Sequence, residues 1–331
     1  KILMRHWFAP IILVMVFANP AFSMDFDPRK IYQKSSNAVV LIAAFERGQK
    51  SSSKGTGSII SEDGFVLTNA HVIFNDEKNK PFDSIRIFLK PDRVTGDLKK
   101  DTSRKFKATL VHYSNPMDLA ILKIQDLQLS NPVPLLEFSD LKETFIGDPV
   151  LAIGHPEQGG LWTLTTGTIS SLIENFEDIP GKDVFQTETS INRGNSGGPL
   201  IDRSGHIVGI NSMIARQGKG GITITDINFS IKSTVAMKWM RSVGYSHSYA
   251  IPKSKKTSQK IQNHTYKSGI VPVPTQPSES MGIKPEPKQE PQKEPEILTE
   301  VRPYEEKDLF DQVEDEMEDM MGDMKGRIQS R

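Results

Sequence analysis

The stretch INRGNSGGPL, residues 191–200, sets one serine, Ser196, among glycines and asparagines with a proline close behind. Gly, Asn and Ser are turn formers, and a loop between two strands often has this composition. The same composition suits a nucleophile. Glycine lets the backbone bend so that neighbouring N–H groups converge on one point, where an oxyanion can develop. A nucleophilic serine needs a histidine base and a carboxylate to orient that base. The stretch LTNAHVI offers His71 just after an apolar run, and NPMDLAILKI offers Asp118 just before one. Taken singly, His71 reads equally as a structural or surface histidine, and Asp118 as a turn residue or cap. In chain order, His, Asp and Ser at three strand ends form one of the few orders in which such triads are built.

The elements that must position these residues are strands. From about residue 38 to 232, short apolar or alternating runs are separated by Gly, Asn, Asp and Pro. They include AVVLIAAF, GSII, GFVLTNA, SIRIFLK, KATLVHY, DLAILKI, PVLAIG, TTGTISSLI, VFQTE, HIVGI and TDINFSI, rich in Val, Ile, Thr and Phe. Such a series without long helical patterns between its members predicts an all-β barrel or sandwich. One helix is expected over 233–242, with Ser233 as N-cap and Val235, Trp239 and Met240 on one face.

Lys and Arg number 41 and Asp and Glu 41, a net charge of zero. No overall charge therefore favours nucleic acid or an anionic membrane. The absence of cysteine excludes thiolate metal sites, disulfides and a cysteine nucleophile. The residues call for no metal and no organic cofactor.

Lys1, Arg5 and His6 precede the apolar run WFAPIILVMVFA, and AFS follows at 21–23. That order reads as a secretory signal over 1–23, cut after Ser23, and the run is too short to favour a permanent membrane span. The expected organisation is a globular domain over 24–246, a disordered linker over 247–303 and an acidic amphipathic helix over 304–331. In the linker apolar residues thin out, and Pro287, Pro291 and Pro295 recur at every fourth position. Over 304–324, Phe310, Val313, Met317, Met320 and Met324 fall on one helical face amid Asp and Glu. A methionine stripe suits an adaptable protein-binding surface; the helix could equally fold back on its own chain or fray.

Together GTGSII, LTNAHVI, DLAILKI, AIGHP and QTETSINRGNSGGPL resemble the bacterial HtrA/Deg-type trypsin-like serine proteases, over about residues 30–242. The resemblance implies two six-stranded antiparallel barrels with the site between them. His71 and Asp118 would come from the first barrel, and Ser196 from the second. Ser196 would be the nucleophile, His71 the base and Asp118 its orienting partner, with the N–H groups of Gly194 and Ser196 as the oxyanion hole. The strand around Ser212 and Ile214 would pair with the substrate backbone. Ile191, Ala215 and Ile222 would lie near the primary specificity pocket, which points to small or apolar side chains before the cut; they read equally as barrel core. Asn195 stands where zymogen-type relatives carry a carboxylate, so activation by N-terminal cleavage is not expected. The loops 174–183 and 215–221 would flank the site.

The resemblance further implies protein or peptide substrates, export to the bacterial periplasm, with secretion or an uncleaved membrane anchor as alternatives, and a homotrimer built through DFDPRKIYQKSS with Phe26 and Tyr32. Typical members carry PDZ domains after the protease; here the linker and acidic helix occupy that stretch. AIGHP has His155 where the family usually has asparagine, a residue read here as structural. Two other readings stay open: a non-catalytic binding or chaperone-like module on the same barrels, and a narrow-specificity secreted protease.

Overall fold

The computed structural model describes residues 26–46, 52–127, 133–157, 159–212 and 227–246. Expectations for the signal 1–23, the linker, the acidic helix and Ile214, Ala215 and Ile222 fall outside the described residues. So does the 215–221 loop.

Two closed barrels organise the chain. The first contains β1 (Val39–Phe45), β2 (Ser52–Ile59), β3 (Phe65–Thr68), β6 (Ser84–Leu89), β7 (Lys105–Ser114) and β8 (Leu119–Ile124), closed in the order β1-β2-β3-β8-β7-β6. Between β3 and β6 run the short helix α2 (Ala70–Ile73) and a small hairpin of β4 (Phe74–Asn75) and β5 (Lys80–Pro81). Helix α3 (Leu98–Asp101) precedes β7. The second barrel contains β9 (Pro149–Gly154), β10 (Thr163–Ile173), β11 (Val184–Thr187), β12 (Pro199–Ile201), β13 (Ile207–Ser212) and β14 (Asn228–Lys232), closed as β10-β11-β14-β13-β12-β9. All strand pairs within the barrels are antiparallel. The all-β, two-barrel expectation holds. Register shifts in β7, β10 and β12 provide the local bends that closure requires.

The continuous apolar run of β1 is buried at every position, as a strand covered on both faces must be. Its Ile42, fully buried in the main core, is a position where truncation to Ala costs about 2–5 kcal/mol. Across from β1, Trp162 Nε1 donates to Val39 O (2.8 Å) and ties the second barrel to the first.

Helix α1 (Pro28–Ser35) starts where Asp27 caps it, accepting from Lys30 N, and Pro28 fits the first turn. Ile31 is buried and the Tyr32 hydroxyl donates to Trp162 O (2.9 Å). Helix α4 (Ser233–Ser242) has the predicted bounds and buries Val235, Ala236, Met237 and Met240, with Trp239 partly covered. Its cap differs from expectation. Lys232 is the N-cap, Ser233 is the first helical residue, and the buried Ser233 hydroxyl has no partner among the described residues. The extended backbone of β14 runs to Lys232 and turns helical immediately after it, which leaves Ser233 one position too late to cap. Among the described residues no helix is long and apolar enough to cross a membrane.

Candidate active site

β3 ends at Thr68, and α2 lifts His71 out of the barrel wall one residue after the first helical position. Asn69 is the N-cap of α2 but makes no side-chain cap. Its amide instead donates to Asp118 O (2.8 Å). Asp118 sits in a tight turn, donating its N–H to Asn115 O, with a left-handed φ of 51° just before β8. Aspartate tolerates that conformation better than most residues. The turn points the carboxylate at the histidine.

His71 Nδ1 lies 2.9 Å from Asp118 Oδ1 and 3.0 Å from Oδ2. The His71 backbone N–H also donates to Oδ1 (3.1 Å), and the Ser212 hydroxyl donates to Oδ2 (2.7 Å). A carboxylate can only accept, so Nδ1 carries the proton and Nε2 is left as the basic nitrogen. Burial presses the His71 pKa down; the hydrogen bond and charge of Asp118, helped by Asp76 and opposed by Lys182, raise it above its ordinary value. Asp118 is held below the usual carboxylate range: burial alone would push it up, and the bonds from His71 and Ser212 outweigh burial. The His71 side chain keeps 39% of its surface exposed, while Asp118 keeps 14%. A shielded carboxylate therefore backs an imidazole whose outer edge is open.

The nucleophile candidate stands on the loop before β12. Ser196 is 3% exposed, and its carbonyl accepts from Thr56 N in β2 (2.8 Å). Gly197, at φ 80°, packs so closely on Thr68, Thr56 and the Asn69 backbone that a Cβ would overlap them. That contact sets Ser196 beside the strand end carrying His71. Among the described residues no hydrogen bond joins Ser196 Oγ to His71, and neither Gly194 N–H nor Ser196 N–H has an acceptor. The Asn195 N–H between them is taken by Asn192 O (2.9 Å).

Among the remaining expected residues, Ile191 is fully buried. Ser212 ends β13, paired with Phe229 of β14. Its hydroxyl is committed to Asp118, a contact across the two barrels that sequence reasoning did not assign. Asn69 was likewise unassigned, since nothing in LTNAHVI marks its amide as a tie to a residue 49 positions away. His155 is buried behind the nucleophile loop.

These features define a trypsin-like architecture, and comparisons with known proteins agree. Residues 55–210 match the model of the trypsin-like peptidase domain. The DegP-like periplasmic serine endoprotease of Chlamydia trachomatis is 35% identical over 191 residues, covering 57% of this chain and 33% of the relative. The serine endoprotease DegS of Escherichia coli is 33% identical over 237 residues, 67% of this chain and 61% of the relative. Among solved structures, the HtrA-type protease AlgW with tripeptide superposes with a TM-score of 0.52 at 31% identity, covering 66% of this chain and 63% of that one. A serine endoprotease from Yersinia pestis does so at 0.50 and 30%, covering 66% and 67%. Residues 55–210 thus form a trypsin-like peptidase domain, and the chain is similar to the HtrA/Deg serine endoproteases. It spans about a third of the length of the DegP-like relative.

Proposed function

We propose that the chain is an exported serine endopeptidase working through Ser196, His71 and Asp118. Ser196 attacks the scissile carbonyl, and His71 Nε2 takes its proton and passes it to the leaving amine. Asp118 holds the imidazole in the working tautomer and stabilises its cation. The observation that carries this reading is the Asp118 carboxylate on His71 Nδ1, beside a loop whose Gly194 and Ser196 N–H groups have no acceptor among the described residues. Those two groups are the proposed oxyanion donors; one such donor is worth about 2.7–4 kcal/mol in the transition state. The Ser196–His71 hydrogen bond forms as substrate binds, since catalytic hydrogen bonds often tighten only in the Michaelis complex.

In this reading the strand from Ser212 to Ile214 pairs with substrate backbone. Ile191, Ala215 and Ile222 give the primary pocket an apolar lining that prefers small or medium apolar side chains. Folded proteins bury most such side chains, so unfolded or damaged polypeptides are the proposed targets. Residues 1–23 act as the export signal and 24–246 as the protease. Residues 247–303 act as a linker and 304–331 as an acidic helix that docks on a protein partner. The periplasm is the proposed location, in keeping with the periplasmic relatives, and the segment with Phe26 and Tyr32 is the proposed contact of a homotrimer. Mass-spectrometric mapping of cuts in denatured casein, wild type beside Ser196→Ala, tests the reading. Cuts after small or apolar residues, absent from the Ser196→Ala sample, support it; equal cutting by both proteins contradicts it.

A further inference from the structure

Behind the nucleophile loop lies a polar cluster that the triad does not use. Thr56, in β2, is fully buried and every polar atom it has is bonded. Its N–H donates to Ser196 O (2.8 Å), its carbonyl accepts from Thr68 Oγ1 (2.7 Å), and its Oγ1 donates to Gly194 O (2.6 Å). The same Oγ1 lies 2.9 Å from His155 Nδ1. A threonine hydroxyl has one proton, and the Gly194 carbonyl, which can only accept, takes it. The His155 contact therefore needs Nδ1–H as donor, which leaves Nε2 bare in a neutral ring. Nε2 is buried and has no partner among the described residues. Burial, with the Lys54 charge acting in the same sense, holds this imidazole well below its ordinary pKa. The ring stands edge-on to Trp162, centroids 4.8 Å apart at 80°.

Peptide planarity connects this cluster to the chemistry. A trans peptide places its C=O and N–H on opposite sides. Arg193 O accepts from Glu157 N (2.8 Å), so the Gly194 N–H of the same peptide points away from residues 155–157. Asn195 O accepts from Gly198 N (3.0 Å), which turns the Ser196 N–H the other way. The peptide between them is pinned at both ends, by Thr56 Oγ1 on its oxygen and by Asn192 O on its N–H. Gly194, at φ 91°, lies against His155 O so closely that a Cβ there would overlap it. Residues 155–157 thus cradle residues 193–195, and the Thr56–His155 hydrogen bond fastens the cradle to the first barrel.

We propose that Thr56 and His155 are positioning residues that hold the Gly194 and Ser196 N–H groups in the orientation that receives an oxyanion. The inference rests on reading Ser196 as the nucleophile. Both residues are fully buried, so they act through the loop and not on substrate. The test uses the full chain with Thr56→Val, which replaces the hydroxyl with a methyl group of similar size, and His155→Phe, which keeps a ring against Trp162 but no donor. Thr56→Ser restores the donor. Three quantities are read: kcat and KM for a short peptide, and affinity for a peptidyl boronate that forms a tetrahedral adduct on Ser196.

Both deletions should lower kcat by about 10- to 100-fold, less than outright loss of an oxyanion donor, with KM little changed. Boronate affinity should fall by the same factor as kcat/KM, and Thr56→Ser should recover most of it. If Thr56→Val does not fold, His155→Phe decides. Folded variants with wild-type kcat and boronate affinity would overturn the positioning role, as would a drop in thermal stability that leaves both constants intact. A wild-type protein that neither cleaves peptide nor takes the adduct contradicts the protease reading itself; an active wild type with unaffected variants contradicts only this inference.

Discussion

In the first barrel the groups of the site are side chains tied to one another; in the second they are mainly backbone groups tied to scaffolding. His71 and Asp118 meet through a carboxylate–imidazole contact of 2.9 Å, reinforced by the His71 N–H and the Asn69 amide. The loop around Ser196 is held through its carbonyls, by Thr56, Glu157 and Gly198. Among the described residues, one side chain of the second barrel hydrogen-bonds to the His71–Asp118 pair, the Ser212 hydroxyl. The two halves set different quantities. In the proposed mechanism the first fixes the protonation state of the base, and the second fixes where negative charge is received. Changes in the first half should move the pH profile together with the rate, and changes in the second half the rate alone.

The largest effect that separates the halves is expected from Asp118→Asn, a loss of about 10⁴ in kcat because the wrong imidazole tautomer is favoured. As the proposed base His71 works only when neutral, so activity should fall as pH drops through its pKa. Asp118 raises that pKa, which puts the wild-type acid limb above the ordinary imidazole value of about 6.5. Without the carboxylate, burial is left to act and the limb of the residual activity should move to lower pH. A pH–rate profile of kcat/KM checks this; an unmoved limb would break the comparison.

Gly194→Ala should cost about 10²–10³ in kcat by displacing a proposed oxyanion donor, since a Cβ meets His155 O and the backbone is left-handed. Its acid limb should stay where the wild type has it, and a shifted limb would show that the halves are not separable. Ser212→Ala removes the Ser212–Asp118 bond and should lower kcat about tenfold, in the range of a hydrogen bond to a charged group. Truncation after residue 246 should have the least effect, with short-peptide hydrolysis kept within a few-fold; its loss would place the tail inside the catalytic unit.

The same division explains what could be read from the sequence. His71, Asp118 and Ser196 stand out as candidates because residue identity and chain order carry that signal, and the structure brings the first two into contact; the long strands were legible through runs such as VVLIAAF and LAILKI. β12, only Pro199–Ile201, follows the glycine turn directly and is too short to show any period. The β4–β5 hairpin has two residues a side and was hidden for the same reason. Helix α1 carried a signal that went unread, Asp27 followed by Pro28. The bonds of Ser212 to Asp118 and of Thr56 to His155 span 94 and 99 residues. They exist only because β2 and β13 pass beside the other barrel's residues, and local patterning cannot express that.

The most direct measurement of the central claim is covalent labelling of the folded chain with a fluorophosphonate, followed by peptide mass analysis. The account predicts one adduct per chain, on Ser196. Labelling should fade in acid as His71 is protonated, be strongly reduced in Asp118→Asn and be absent after unfolding. No adduct on a folded protein, or labelling indifferent to Asp118 and to pH, would contradict it.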